Sequence, residues 1–315
     1  MTLRVIIPGA SGFIGRNLIQ TIPADWEVVA VYNKSNDFPT WVEQKKLPHV
    51  TAVGCDLTDE AAVRRLAGRA GKRFDACVFL AANGDPACSV EHPVLDLQAT
   101  VVTLINFLSH FEINRFIYFS SGAVYDGLSG AVSPEVKVSP YLPYAITNWA
   151  CEHYVQAFTN RGRIGQYVNL RFFGAYGPYE PTRKLYNRLV RRFAFERVPQ
   201  FTVRGNGCNY IDAMYVEDAV RGVLAVLESD QGNLTLDFCS GTPITINELV
   251  EIAGRTFDIE NIKIEHSGHV PEYINFSASG EAMAQMFHFR PQISLEEGLQ
   301  RFAEFLRQRE ENPRG

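Results

Sequence analysis

Gly9-Ala10-Ser11-Gly12-Phe13-Ile14-Gly15 decides the reading of this chain. The heptapeptide follows a mostly apolar run, Leu3-Arg4-Val5-Ile6-Ile7, and leads into a helical pattern. Strand, glycine turn and helix N-terminus in that order make a phosphate cradle. The glycines let backbone approach a pyrophosphate, and the first helical turn offers N–H groups that have no internal partner. A bare glycine pattern is weak, but here both flanking elements are present. Gly9, Ser11, Gly12, Phe13, Ile14 and Gly15 are thus read as contacts of a dinucleotide.

Outward from this loop the first half alternates short apolar runs with helical patterns, the rhythm of a parallel sheet. Strands are expected at 3–7, 27–32, 50–54, 76–81, 115–120, 166–171 and 234–239. Cys77-Val78-Phe79-Leu80-Ala81 is apolar without alternation, as in a strand covered on both faces. The fold class expected is α/β, a doubly wound parallel Rossmann sheet with a smaller C-terminal substrate-binding lobe. The dinucleotide domain would take residues 1–172 and about 213–243. The lobe would take about 173–212 and 244–315. A helix over 94–111 places Leu97, Val101, Leu104 and Leu108 on one face and Val94, Val102 and Ile105 on another. The second face needs either a neighbouring helix or a second subunit. A homodimer through helices near 94–111 and 142–159 is the expectation. Leu295 to Arg307 reads as an amphipathic helix, with a frayed polar end from Glu310.

At 315 residues with 46% hydrophobic and 21% charged, the composition is that of a globular protein with a full core. A net charge of −5 argues against a nucleic-acid or membrane surface. No stretch approaches the ~20 apolar residues of a membrane span. The six cysteines contain no C-x-x-C pair, so a reducing cytoplasmic setting is expected. No metal site is expected: His110 and His153 lack ligand partners, and His266 and His269 lack a third.

The second strand of such a domain normally ends in an acid that binds ribose hydroxyls. Here the stretch reads Val31-Tyr32-Asn33-Lys34-Ser35, with no acid before Asp37. Asn33, Lys34 and Ser35 could hold a 2′-phosphate, which tilts the cofactor towards NADP over NAD. Asp56-Leu57 is placed to cover the adenine, or Asp56 caps a helix starting near Thr58. Asn83-Gly84-Asp85-Pro86 follows the fourth strand at the pocket edge. Asn83 and Asp85 there are candidate substrate contacts or simply turn residues.

These segments, with several others, resemble the extended short-chain dehydrogenase/reductase family, in its sugar-nucleotide epimerase and dehydratase branch. The resemblance covers nearly the whole chain. It rests on the glycine loop, Phe79-Leu80-Ala81-Ala82, Ser120-Ser121-Gly122-Ala123-Val124-Tyr125, Leu170-Arg171-Phe172-Phe173-Gly174-Ala175-Tyr176-Gly177-Pro178 and Tyr215-Val216-Glu217-Asp218. It implies hydride chemistry at the carbon of a nucleotide-linked sugar. Ser121 would hold the reacting oxygen, and Tyr144 would deliver or remove its proton. Leu80, Ala81, Ala82, Ser120, Phe172 and Phe173 would join the cofactor contacts.

The departures are as informative as the matches. Where the family has Tyr-x-x-x-Lys, this chain has Tyr144-Ala145-Ile146-Thr147-Asn148. Asn148 could still bind a ribose hydroxyl but brings no positive charge, so the phenol should stay near its intrinsic pKa of about 10. Lys137 or Lys184 could fold in as a replacement cation. Gly174 stands for a substrate-binding asparagine, Ile211 for an arginine that pairs with the diphosphate, and Asp126 for a glycine. Ser121-Gly122-Ala123 lacks the Asp-Glu pair of 4,6-dehydratases, which ranks that activity low. The substrate's diphosphate would then fall to the basic segment 183–204, with Arg183, Arg188 and above all Arg204 as candidates beside Tyr210. Two readings stand: an NAD(P)-dependent nucleotide-sugar epimerase or 4-keto reductase, or a cofactor-binding sensor or assembly subunit without turnover.

Overall fold

The computed structural model describes residues 2–268 and 275–311. Seven strands form one parallel sheet: β1 (Arg4–Pro8), β2 (Glu27–Tyr32), β3 (Val50–Gly54), β4 (Arg73–Phe79), β5 (Glu112–Ser121), β6 (Ile164–Phe172) and β7 (Leu234–Phe238). Their order is β7-β6-β5-β4-β1-β2-β3. The order reverses at β1, and the crevice beyond the carboxyl ends of β1 and β4 is where such sheets bind ligands. All seven expected strands are present, with ends shifted by at most three residues.

The unalternating strand sequences have a direct cause. Val5 and Ile7 face one core with Val28, Val78 and Val168, whereas Ile6 faces another with Val29, Cys77 and Phe79. Helices bury both faces. Parallel register then aligns the strand ends: Ser121 lies beside Phe172, Ser120 beside Arg171, and Asp237 beside Arg171 on the other edge. A third core, around Tyr176, Tyr186, Leu189, Phe193, Leu249 and Phe302, builds the lobe. Met283 and Phe287 of the helix Glu281–Phe287 join the sheet core instead of the lobe expected for that stretch. The C-terminal helix runs from Leu295 to Glu311, so Glu310 is helical and ion-paired with Arg191.

The expected helix over 94–111 is broken into an α-helix Pro93–Leu97, a π-helical turn Gln98–Val102 and an α-helix Thr103–His110. A π turn inserts an extra residue and rotates the stripe that precedes it. Val101, Leu104 and Leu108 are buried, but Leu97 is 47% exposed, which removes it from the inward face. Val94 is 67% exposed. With Val90, Ile146 and Tyr154 they leave apolar side chains exposed on three neighbouring helices.

Gly9 has φ +86°, and a Cβ there would lie 2.7 Å from the Leu80 carbonyl carbon. Gly9→Ala must therefore push the ends of β1 and β4 apart. It should cost about 1–3 kcal/mol in urea unfolding, with dinucleotide affinity falling alongside. A variant of unchanged stability would show that the strand ends yield freely.

Candidate active site

The glycine loop is shaped by its own backbone: Gly9 and Ala10 N–H donate to the Val31 carbonyl, and Gly12 N–H to that of Gly9. The helix Phe13–Thr21 that follows has no side chain capping its N-terminus. Beside it runs a groove of about 380 Å³ lined by Gly9, Ser11, Gly12, Asn33, Lys34, Asp56, Leu57, Leu80, Ala81 and Ala82. An uncapped N-terminus beside a glycine turn that no Cβ could enter fits a dinucleotide's pyrophosphate. Gly15 does not line the groove; a Cβ there would lie 2.5 Å from the Ala10 carbonyl oxygen, so the residue serves helix packing.

At the far end of the second strand, Asn33 and Lys34 are exposed in the groove, whereas Ser35 is outside its lining. Asp37 is held by Arg16 at 2.8 Å. Asp56 Oδ1 accepts from Thr58 N–H at 2.9 Å and Thr58 Oγ1 at 2.7 Å, and these bonds hold its carboxyl below the usual range. The helix begins later than expected, at Glu60, with Asp59 as its cap.

Phe13 and Ile14 line a second, larger cavity of about 630 Å³, which joins the sheet's carboxyl edge to the lobe. Ser121, Tyr144, Phe172, Phe173, Gly174, Arg183 and Tyr210 are also in its wall. Ser121 and Tyr144 share this wall, with the serine hydroxyl near enough to the phenol to ease its ionisation. Ser121 Oγ also accepts from Ala123 N–H at 3.1 Å, which fixes it at the mouth of β5. Burial pushes the Tyr144 phenol above its ordinary pKa; the Ser121 hydroxyl opposes the shift, and the nearby Asp96 carboxylate adds to it.

Asn148, expected at the cofactor ribose, is turned inward. It is 2% exposed, donates to the Tyr144 carbonyl at 2.8 Å and accepts from Tyr118 Oη at 3.1 Å. The shorter amide turns inward where a lysine would extend. One turn on, Glu152 takes Arg171 in a two-point pair at 3.0 and 2.9 Å. Ser120 Oγ donates to the same carboxylate at 2.5 Å, so Ser120 is also buried away from the cofactor groove. Tyr125 Oη donates to Asp237 at 2.7 Å, and burial lifts Asp237 to about 7.

The substrate candidates divide. Asn83 Nδ2 is spent on Asp96 at 2.7 Å and on the Asp85 carbonyl, which makes it a loop brace. Asp85 caps the helix Pro86–Glu91 and pairs with Arg183 at 3.3 Å on the cavity rim. Lys184, also in the wall, donates to the Gly84 carbonyl at 3.0 Å; burial lowers its pKa. Arg188 leaves the site and lies over the Phe201 ring. Arg204 ends a strand whose Phe201 and Val203 point into the lobe core, so alternation sends the arginine to solvent. Sequence reasoning missed Glu180, Asp212 and Phe276 in the wall. Glu180 and Asp212 are buried acids, Glu180 raised by burial to about 8 and Asp212 raised for the same reason. No motif marks Glu180; Asp212 directly follows Ile211, the position read as standing for the diphosphate arginine.

All six cysteines are free. Among the described residues no cluster could hold a metal ion, and no helix is long and apolar enough to cross a membrane. His269 lies outside the described residues.

A family model described as "NAD dependent epimerase/dehydratase family" matches residues 5–236. The UDP-glucuronate 4-epimerase of Thermodesulfobacterium geofontis is 24% identical over 94% of each chain. The structure of a UDP-glucose 4-epimerase from Thermotoga maritima with UDP-glucose superposes with a TM-score of 0.85 at 21% identity, covering 97% of this chain and 99% of that one. A UDP-glucuronic acid 4-epimerase from Bacillus cereus, in complex with UDP-glucuronic acid and NAD, gives 0.84 at 21% identity with the same coverage. At these identities the structural likeness shows the fold.

Glu180 yields a pH test. Folded, it keeps its proton up to about pH 8; unfolded, it ionises near 4.5. The native chain binds the extra proton between those values, so this residue's contribution to stability falls as pH rises through that window. Glu180→Gln can still accept from Asn187 N–H, a bond of 2.8 Å in the parent. Its stability relative to the parent should climb from pH 4.5 to 8 and then level off in chemical denaturation. A difference independent of pH would mean that Glu180 ionises normally.

Proposed function

This chain belongs to the NAD dependent epimerase/dehydratase family, and we propose that it is a nucleotide-sugar epimerase or 4-keto reductase whose acid–base pair is Ser121 and Tyr144. The observation that carries the reading is that Ser121 and Tyr144 stand together in the wall of a cavity that Phe13 and Ile14 of the glycine loop also line. NAD, when bound, supplies the hydride acceptor or donor. NAD is preferred over NADP because the family description and the solved neighbour name NAD; the expected tilt to NADP rests on Asn33 and Lys34 alone. Reduction or oxidation by the purified enzyme with each cofactor decides between them.

The residues suggest which direction is easy. Ser121 holds the reacting oxygen by hydrogen bonding. Tyr144 stands without a lysine four residues on and with Asp96 nearby, so it keeps its proton at neutral pH. A protonated phenol gives a proton to a carbonyl oxygen as that carbon is reduced. Removing a proton from a hydroxyl would call for alkaline pH. This favours the 4-keto reductase. Arg183 and Lys184 on the rim supply positive charge for a diphosphate now that position 211 is isoleucine. The lack of a Tyr-x-x-x-Lys lysine also leaves open a subunit without turnover; the relatives named above are epimerases and lend it no support.

A homodimer is part of the proposal. Val90, Val94, Leu97, Ile146 and Tyr154 are exposed on adjoining helices, and a second copy would cover them. Leu97→Asp should shift the sedimentation coefficient from dimer to monomer without lowering secondary structure; a parent that sediments as a monomer would refute the dimer.

Tyr144→Phe should lower kcat by about 10²–10⁴-fold on a keto sugar nucleotide while cofactor affinity holds. Asn148→Lys should move the alkaline rise of the oxidative direction to lower pH, because a cation stabilises the phenolate. An unchanged profile in that variant would remove Tyr144 as the titrating group.

A further inference from the structure

Arg183 and Lys184 are neighbours in sequence and both line the cavity, but they are engaged differently. Arg183 pairs with Asp85 at 3.3 Å on the rim, and its side chain is 59% exposed. Lys184 is half-buried, and its Nζ donates to the Gly84 carbonyl at 3.0 Å. That bond is open to solvent, and Gly84 is itself in the cavity wall, so a ligand in the cavity can reach the ammonium. An ammonium has three donors. Among the described residues no second acceptor takes one, and no carboxylate forms an ion pair with it.

The acids of the cavity already have partners of their own. Asp85 is held by Arg183 and by the Ala87 and Cys88 N–H groups. Glu180 accepts from Asn187 N–H and keeps its proton at neutral pH, since burial raises it to about 8. Asp126 accepts from Tyr141 and Leu142 N–H, and Asp212 from Ser240 and Gly241 N–H. Burial and then the Arg183 charge lower the Lys184 pKa, and Asp85 and Glu180 offset this only in part. The protein alone therefore supports this charge poorly. A partly buried ammonium whose acceptor is neutral gains from an anion that a ligand brings.

We propose that Lys184 binds a carboxylate on the sugar itself, so that the substrate is a nucleotide-linked uronic acid and Arg183 is left for the diphosphate. The inference rests on the nucleotide-sugar reading and narrows it. Gly84 leads into the helix Pro86–Glu91, and Ser89 of that helix accepts from Tyr144 N–H at 3.1 Å. The ammonium is thus tethered to the segment that braces the phenol, where the sugar reacts, whereas Arg183 stands on the rim. A carboxylate offers two oxygens to the two free donors, and such charge-assisted bonds are about twice as strong as neutral ones. A hydroxymethyl group at the same carbon makes an ordinary bond and leaves the charge unmatched.

Lys184→Met removes the charge and keeps an apolar stem of similar length. Parent and variant, each loaded with NAD, would be titrated calorimetrically with the glucuronic acid and glucose conjugates of UDP and of GDP, and with the free nucleotides. Thermal unfolding controls for folding, and Lys184→Gln replaces the variant if it fails to fold. The parent should bind the uronic acid about tenfold or more tightly than the glucose conjugate of the same nucleotide. In Lys184→Met that preference should disappear, and Lys184→Arg, which keeps the charge, should retain most of it. A parent without the preference, or a preference that survives in Lys184→Met, would overturn the proposal. Loss of affinity by one common factor for both sugars and the free nucleotide would assign Lys184 to the diphosphate and overturn it as well. A parent that binds neither sugar on either nucleotide would overturn the nucleotide-sugar reading itself.

Discussion

The buried pair between Glu152 and Arg171 is the interaction on which the geometry of the site depends. It joins the Tyr144 helix to β6, and the Ser120 hydroxyl ties β5 to the same carboxylate. Register then carries the constraint one residue further, to Ser121 and Phe172 side by side at the cavity. Such a pair does little for net stability, since desolvating both ions offsets their attraction. Removing one partner is another matter, costing about 3–5 kcal/mol because a charge is left buried alone. The pair therefore acts as a spacer with a steep penalty for misplacement. That is what a hydroxyl and a phenol need if they are to meet one oxygen within hydrogen-bond reach.

Two turns of the same helix hold opposite electrostatic settings. At Glu152 the charge is matched by a guanidinium. At Asn148 there is no charge, and the amide is absorbed by Tyr118 and by the helix backbone. Asp96, braced by Asn83 and Thr147, stands near the phenol on the other side. The environment thus favours the neutral phenol on three counts: burial, a carboxylate, and no adjacent lysine. On the proposed reading, the departure that weakens Tyr144 as a base would leave it intact as an acid, so the missing lysine would change the preferred direction of the chemistry instead of abolishing it.

The sheet was legible in the sequence because its signals are local. Strands buried on both faces read as apolar runs, and the glycine loop carries its function in the backbone, which the residue letters betray. Leu97 was misplaced because a π turn shifts the helical phase, and periodicity alone does not register one inserted residue. Arg204 was misread because adjacency to a turn says nothing about which side of a strand a residue occupies; the alternation of Phe201 and Val203 did. Asn148 was given a ligand's role by analogy of position, while its reach is that of a shorter side chain. Glu180 was invisible, since a carboxylate reveals burial only once distant segments close over it.

The two halves of the site are therefore constrained differently. The dinucleotide half is built from backbone N–H groups and the absence of Cβ atoms, and it tolerates no side chain at Gly9 whatever the cargo. The substrate half is built from side chains on the carboxyl ends of β5 and β6 and on the lobe, where each exchange alters recognition without touching the fold. Gly174 and Ile211 give that wall no polar side chain. Its charge comes from Arg183 and Lys184 and from the carboxyl groups of Asp126, Glu180 and Asp212, so recognition there is set by side chains and not by backbone.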